Sequence, residues 1–231
     1  ISNNLFSLKG KTALVTGGST GIGLMATAGL ISAGAKVFIV SRKLENCQNA
    51  AHELNNHGFE GKVIPFRGDL SSETGINKII EEVYFKNSEL HILINNAGRT
   101  WGSDFSSFPY DAWAKVLNLN VSAIFYLTQK LVPLLASSSK SDFPSRVVNI
   151  GSVMGEVPMG DGAYSYAASK SAVHHITRIL AKELAEKNIT VNALAPGPFQ
   201  SNMTDFAIGD SKGAMRVSKR VPLNRIGQTD D

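Results

Sequence analysis

Two side chains in the run Tyr164-Ser165-Tyr166-Ala167-Ala168-Ser169-Lys170 could together make an acid catalyst. Tyr166 and Lys170 are four residues apart, so on a helix a phenol and an ammonium group share one face and can converge on one substrate atom. A free tyrosine has a pKa of about 10 and carries protons poorly at neutral pH, whereas a lysine cation alongside favours the phenolate and lowers that value. Tyr164 lies six residues before the lysine and is rotated well off that face, which leaves Tyr166 as the candidate acid. Alone, the same spacing also describes a helix with an inward aromatic and a solvated lysine.

A second constellation lies near the N-terminus. Lys11-Thr12-Ala13-Leu14-Val15-Thr16 reads as a short buried strand that runs into Gly17-Gly18-Ser19-Thr20-Gly21-Ile22-Gly23, and a helical pattern follows from Leu24 to about Ala33. Strand, glycine-rich turn and helix in that order place free backbone N–H groups and the positive end of a helix dipole where a pyrophosphate can sit. The spacing Gly17-x-x-x-Gly21-x-Gly23 differs by one residue from the common dinucleotide fingerprint.

Taken together, these residues resemble the short-chain dehydrogenase/reductase family, over nearly the whole chain and in the family's order. The run Thr16 to Gly23 is similar to its cofactor loop, Asp69-Leu70 to its adenine-side pair, and Asn95-Asn96-Ala97-Gly98 to the motif closing its fourth strand. Asn120, Ser152, Tyr166 and Lys170 fall where the family's catalytic tetrad belongs, and Pro196-Gly197 matches the turn after its sixth strand. The resemblance implies a single Rossmann-type α/β domain, a doubly wound parallel sheet with helices on both faces. It also implies cofactor contacts from Gly17, Ser19, Thr20, Gly21, Ile22, Arg42, Asp69, Leu70, Asn96, Ala97, Gly98, Tyr166, Lys170, Pro196 and Gly197. Family members usually continue past a segment like Arg225 to Asp231 with a helix and a seventh strand, so the chain is expected to be C-terminally incomplete relative to them.

The elements that must position these groups can be read from the pattern. Apolar runs at Lys36–Val40, Lys62–Phe66, His91–Asn95, Arg146–Ile150 and Thr190–Ala195 are predicted strands. They alternate with predicted helices at about Leu44–Asn56, Glu73–Asn87, Tyr110–Ala136 and Tyr166–Lys187, the signature of βαβ units and a parallel sheet buried on both faces. The ligand is then expected at the carboxyl ends of the strands, where every motif above falls.

Composition agrees with one α/β enzyme domain: 231 residues, 43% hydrophobic, with no apolar run read as long enough to cross a bilayer. A net charge of +4 does not call for nucleic acid as a partner. The basic residues Lys212, Arg216, Lys219, Arg220 and Arg225 are read mainly as a solvated helix face. Cys47 is the single cysteine, so no intrachain disulfide can form. No cluster has metal-ligand spacing, and no metal is expected. The chain begins with Ile1; a cytoplasmic location is expected, with an upstream targeting segment left open.

The second strand ends Ile39-Val40-Ser41-Arg42-Lys43, where an acidic residue would bond an adenosine ribose 2′-hydroxyl. None is present, and Arg42 can grip a 2′-phosphate with its planar charged fork. NADPH is therefore the expected cofactor, with NAD less favoured. Thr20 departs from the pattern, since many NADP-preferring members carry a basic residue there. Ser152 is expected to supply a substrate-orienting hydroxyl. Asn120, a poor helix-interior residue needing partners if buried, is by resemblance the holder of a water that links Lys170 to solvent. His174 and His175 are read as packing or surface residues.

The function expected is NADPH-dependent reduction of a ketone to a secondary alcohol. The stretch from Ile150 through Leu184 is similar to 3-oxoacyl-thioester reductases, and the alternative is a dinucleotide-binding scaffold or redox sensor without turnover. Val153–Gly162 and Phe199–Arg220 should line the substrate pocket. An apolar stripe of Val121, Ile124, Phe125 and Leu131, with Ala172, Ile176 and Ile179, together with the resemblance, leads to the expectation of a homodimer or homotetramer.

Overall fold

The computed structural model describes residues 5–159, 162–201, 203–229 and 231. The order along the chain is β1 (Thr12–Thr16), α1 (Gly21–Ser32), β2 (Lys36–Ser41), α2 (Leu44–Asn55), β3 (Lys62–Arg67), α3 (Glu73–Lys86) and β4 (Ile92–Asn95). There follow α4 (Asp111–Leu117), a π-helical turn (Asn118–Ser122), α5 (Ala123–Ser138), β5 (Ser145–Ile150), α6 (Tyr164–Leu184), β6 (Ile189–Leu194), α7 (Asp205–Ile208) and α8 (Ser211–Ser218).

The six strands form one parallel sheet in the order β3-β2-β1-β4-β5-β6. Side chains alternate between its faces, as strand geometry requires. Leu14 and Phe38 join α3, α5 and α6 in one core, through Ile79, Leu127 and Leu180. Ala13, Val15, Val37 and Ile39 turn the other way, onto α1 and α2, against Ile31, Cys47 and Leu54. The strands are apolar throughout because helices cover both faces. Strand order reverses between β1 and β4, and the crevice beyond their carboxyl ends is the natural place for a ligand.

Three expectations change. First, α1 starts at Gly21, not Leu24, so the last part of the glycine turn is the first turn of the helix. Second, the single helix expected over Tyr110–Ala136 is α4 and α5 joined by the π turn, with Asn120 inside that turn. Third, the continuous stretch Asp111–Ser138 is long and apolar enough to cross a membrane by length and composition, where the sequence pattern suggests no such run. Leu127, Leu131 and Leu135 on it are fully buried within the sheet-facing core, so we read it as a core helix.

The expected second apolar stripe is also different. Ile124 and Leu131 are buried, whereas Phe125 on α5 and Ile179 on α6 are the exposed ones, because the helix rotates only part of the predicted set outward.

Candidate active site

β1 delivers the chain to Gly17, whose φ of +65° turns the backbone sharply out of the sheet. A Cβ at Gly23 would run into the Gly17 carbonyl oxygen, so glycine there lets α1 start hard against the turn. Thr20 precedes α1 with extended backbone and no side-chain cap. The first intrahelical bond is Leu24 N to Thr20 O, at 3.2 Å. The earlier N–H groups therefore lie at the start of a helix that borders the cavity at Gly21 and Ile22, an arrangement that suits an anion.

Thr16, legible in the sequence only as the residue leading into the glycine turn, clamps this corner. Its hydroxyl donates to Ile94 O at 3.3 Å and accepts from the N–H groups of Asn96 and Ala97, both at 3.0 Å. Asn96 reciprocates, its Nδ2 donating to Thr16 O at 2.9 Å and Gly17 O at 3.1 Å. Asn95 looks the other way, its Nδ2 donating to Asn149 Oδ1 at 2.9 Å and Thr128 Oγ1 at 3.1 Å. The adjacent asparagines thus tie β4 to β1 on one side and to β5 on the other.

A cavity of about 780 Å³ runs along these strand ends. Gly17, Ser19, Thr20, Gly21 and Ile22 line it beyond β1, with Arg42, Asp69 and Leu70 toward one end, beyond β2 and β3. Asn96, Ala97 and Gly98 line the middle, and Ser152, Tyr166, Lys170, Pro196 and Gly197 lie toward the other end. Arg42 is exposed and, among the described residues, forms no ion pair at contact distance. Partial burial raises the pKa of Asp69, but hydrogen bonds from Ser71 and the fields of Arg42 and Arg67 outweigh it and hold the carboxyl below its usual value.

Tyr166 and Lys170 rise one turn apart on α6, both into the cavity. Tyr164 is instead stacked edge-on against Phe105 and Phe108, outside the site. Lys170 is 5% exposed, and its Nζ donates to Ile150 O at 2.6 Å. Burial pushes its pKa down to about 8. The Tyr166 phenol is raised by burial, with a hydrogen bond to Ser152 pulling the other way. The expectation that Lys170 depresses the tyrosine pKa is therefore not met in this arrangement. The ammonium is engaged with a main-chain carbonyl, and desolvation dominates both groups.

Asn120 is the one predicted site residue that does not border the cavity. It is fully buried: Oδ1 accepts from Arg99 N at 2.9 Å, and Nδ2 donates to Arg99 O and Ser169 Oγ, each at 2.9 Å. Its side chain is spent on holding the Arg99 loop and α6 together, so a bound water would need its main-chain carbonyl or the remaining Oδ1 lone pair. His174, read as a packing residue, is buried but fully hydrogen-bonded, to Ser152 N and Glu156. His175 is exposed. Of the two expected substrate-lining segments, Gly160, Asp161 and Asn202, with the side chains of Phe206 and Ala207, lie outside the described residues.

The short chain dehydrogenase family profile matches residues 11–210. The chain belongs to that family. This short-chain dehydrogenase is 44% identical over 226 residues to the rhamnolipids biosynthesis 3-oxoacyl-[acyl-carrier-protein] reductase of Pseudomonas aeruginosa, covering 98% of this chain and 87% of the relative. It is 32% identical to the 5-keto-D-gluconate 5-reductase of Escherichia coli, covering 99% of this chain and 87% of that one. Its structure is similar to a Pseudomonas aeruginosa RhlG/NADP active-site complex, with a TM-score of 0.93 at 43% identity, covering 99% of this chain and 88% of the other. The parallel doubly wound sheet and the oxidoreductase class expected from the sequence are those of the family.

Proposed function

We propose that this enzyme reduces a ketone, carried on a 3-oxoacyl thioester, to a secondary alcohol with NADPH. The observation that carries the reading is that the helix-start cradle at Gly17–Ile22 and the Ser152–Tyr166–Lys170 group line one continuous cavity. The donor set suits NADPH: backbone N–H groups for the pyrophosphate, Arg42 for the 2′-phosphate, Asp69 and Leu70 beside the adenine, and Lys170 for the nicotinamide ribose. When bound there, the cofactor supplies the hydride that the carbonyl carbon receives.

The protein's part is acid catalysis and orientation. The Ser152 oxygen accepts from Met154 N at 3.2 Å, and its hydroxyl, which meets the Tyr166 phenol here, is the donor offered to a substrate oxygen that enters between them. Tyr166, whose phenol burial pushes up in pKa, donates a second hydrogen bond to that oxygen and passes its proton to it as the alcohol forms. Lys170 and the main chain around Asn120 provide the route by which the phenol recovers a proton. Phe199 and Met203 line the same cavity and suit an apolar acyl chain.

A polyhydroxy keto acid is the second reading, because Arg99 also lines the cavity and a guanidinium is a suitable partner for a carboxylate. A cytoplasmic location and a homo-oligomeric state belong to the same proposal. The test is NADPH oxidation followed optically over a panel that includes 3-oxoacyl thioesters and 5-ketogluconate. Turnover of the thioesters supports the first reading, turnover of the keto acid alone supports the second, and cofactor binding without any turnover would leave a scaffold.

A further inference from the structure

The main chain that carries Ser152 can be accounted for group by group. Ile150 O accepts from Lys170 Nζ, Gly151 N donates to Leu194 O at 2.7 Å, and Val153 N donates to Pro196 O at 3.1 Å. Met154 N goes to Ser152 Oγ. The Ser152 N–H itself donates to a side chain of another element, His174 Nε2, at 3.3 Å. Tyr166, Lys170 and His174 stand at i, i+4 and i+8 on α6, so the helix face that presents the acid also grips the serine.

A ring nitrogen that accepts an N–H carries no proton. The imidazole proton therefore sits on Nδ1, which meets Glu156 Oε1 at 2.7 Å. The carboxylate, an acceptor only, fixes this tautomer; with the proton on Nε2, two donors would face each other at Ser152. Arg178 is 3.9 Å from the same carboxylate oxygen and further out in solvent. The loop is shaped around the ring. A Cβ at Gly151 would run into His174 Nε2, and one at Gly155 would lie 2.9 Å from its Cε1. His174 is only 7% exposed, with its polar atoms used on both edges.

We propose that His174, held in its Nδ1–H tautomer by Glu156, is a positioning residue that sets Ser152 for the carbonyl substrate. The proposal rests on the reading of Ser152 as a donor to that carbonyl. Because the serine oxygen is already tied to Met154 N, the direction of its hydroxyl follows from where the Ser152 backbone is pinned. A misplacement of about 1 Å in such a group can cost about 10²-fold in rate.

The test combines kinetics with a measurement that needs no substrate. His174→Leu is expected to lower kcat about 10²-fold with little change in the KM for NADPH. His174→Gln, whose amide oxygen can still accept the Ser152 N–H, should recover most of the loss, as should Glu156→Gln relative to Glu156→Leu. In a Ser152→Ala background the His174→Leu change should cost less than about twofold, since residues acting as a unit are non-additive. Equal losses in both backgrounds, or full activity in His174→Leu, would overturn the proposal. Nitrogen-15 NMR of the wild-type ring reports the tautomer directly: a proton on Nδ1 is expected, and one on Nε2 overturns the proposal whatever the substrate. Wild-type protein without turnover of any ketone would instead sink the reductase reading.

Discussion

The buried ammonium of Lys170 donates to the carbonyl oxygen of Ile150 at 2.6 Å, tying the middle of α6 to the end of β5. Tyr166 lies one turn earlier on the same helix face, so the strand end that leads to Ser152 and the helix that presents the phenol are held at a fixed separation. That linkage, and not proximity along the sequence, places the acid over the strand ends.

Removing the phenol hydroxyl should separate chemistry from binding. Tyr166→Phe is expected to lower kcat by about 10²–10⁴-fold, the usual worth of a positioned acid, while NADPH affinity stays close to wild type because the ring still packs. Fluorescence titration alongside activity measures both, and substantial residual reduction would remove Tyr166 as the acid.

Arg42→Asp exchanges a phosphate-gripping cation for a hydroxyl acceptor at the end of β2. The ratio of kcat/KM for NADPH to that for NADH should fall by about 10–100-fold, the worth of one or two charge-assisted hydrogen bonds. A ratio that hardly moves would shift specificity to Lys43 or Ser19.

Burial of Lys170 gives stability a particular pH dependence. Its pKa falls from 10.5 to about 8 on folding, so below about pH 8 both states carry the proton and the folded state bears the full desolvation cost. Between those values the unfolded chain binds the proton that the folded chain has lost, and stability rises with pH. Relative to Lys170→Met, the wild type should therefore gain on the order of 1–3 kcal/mol across that window. Tyr166 acts oppositely only above its usual value, since its folded-state pKa is raised. Urea unfolding of both proteins from neutral to mildly alkaline pH is the measurement; a constant difference would mean that Lys170 is solvated.

Gly23→Ala drives a methyl group against the Gly17 carbonyl oxygen and Asn96 Nδ2. Overpacking of that kind costs about 1–3 kcal/mol, and here it also pushes α1 away from the cradle. A lowered Tm with a larger loss of NADPH affinity is expected, and a variant that binds as the wild type does would show that the cradle can relax.

The half-exposed side chains Phe125 and Ile179, 40% and 49% accessible, lie on α5 and α6. With the family resemblance they lead to the expectation of at least a dimer, and Phe125→Lys should weaken it. Light scattering at micromolar concentration decides, and a clean monomer for the wild type would mean that these side chains simply face water.

The sequence by itself determined the architecture and most of the cavity wall. Alternating apolar strands and amphipathic helices admit few arrangements besides a parallel sheet covered on both faces, and short motifs such as Gly17 to Gly23 or Tyr166 with Lys170 carry their geometry in their spacing. Tertiary structure decided what depends on neighbours distant in the chain. Asn120 was legible as a residue needing partners, but not that Arg99 and Ser169, 21 and 49 residues away, would use its amide. Lys170 was legible beside Tyr166, but its engagement with Ile150 depends on how α6 docks on β5, and that docking turns an expected lowering of the tyrosine pKa into a rise. His174 carried no local sign of its role, because its partners at Ser152 and Glu156 come from the loop after β5, about twenty residues earlier in the chain. Spacing fixes which groups share a face; only packing fixes what that face meets and how far water is excluded from it.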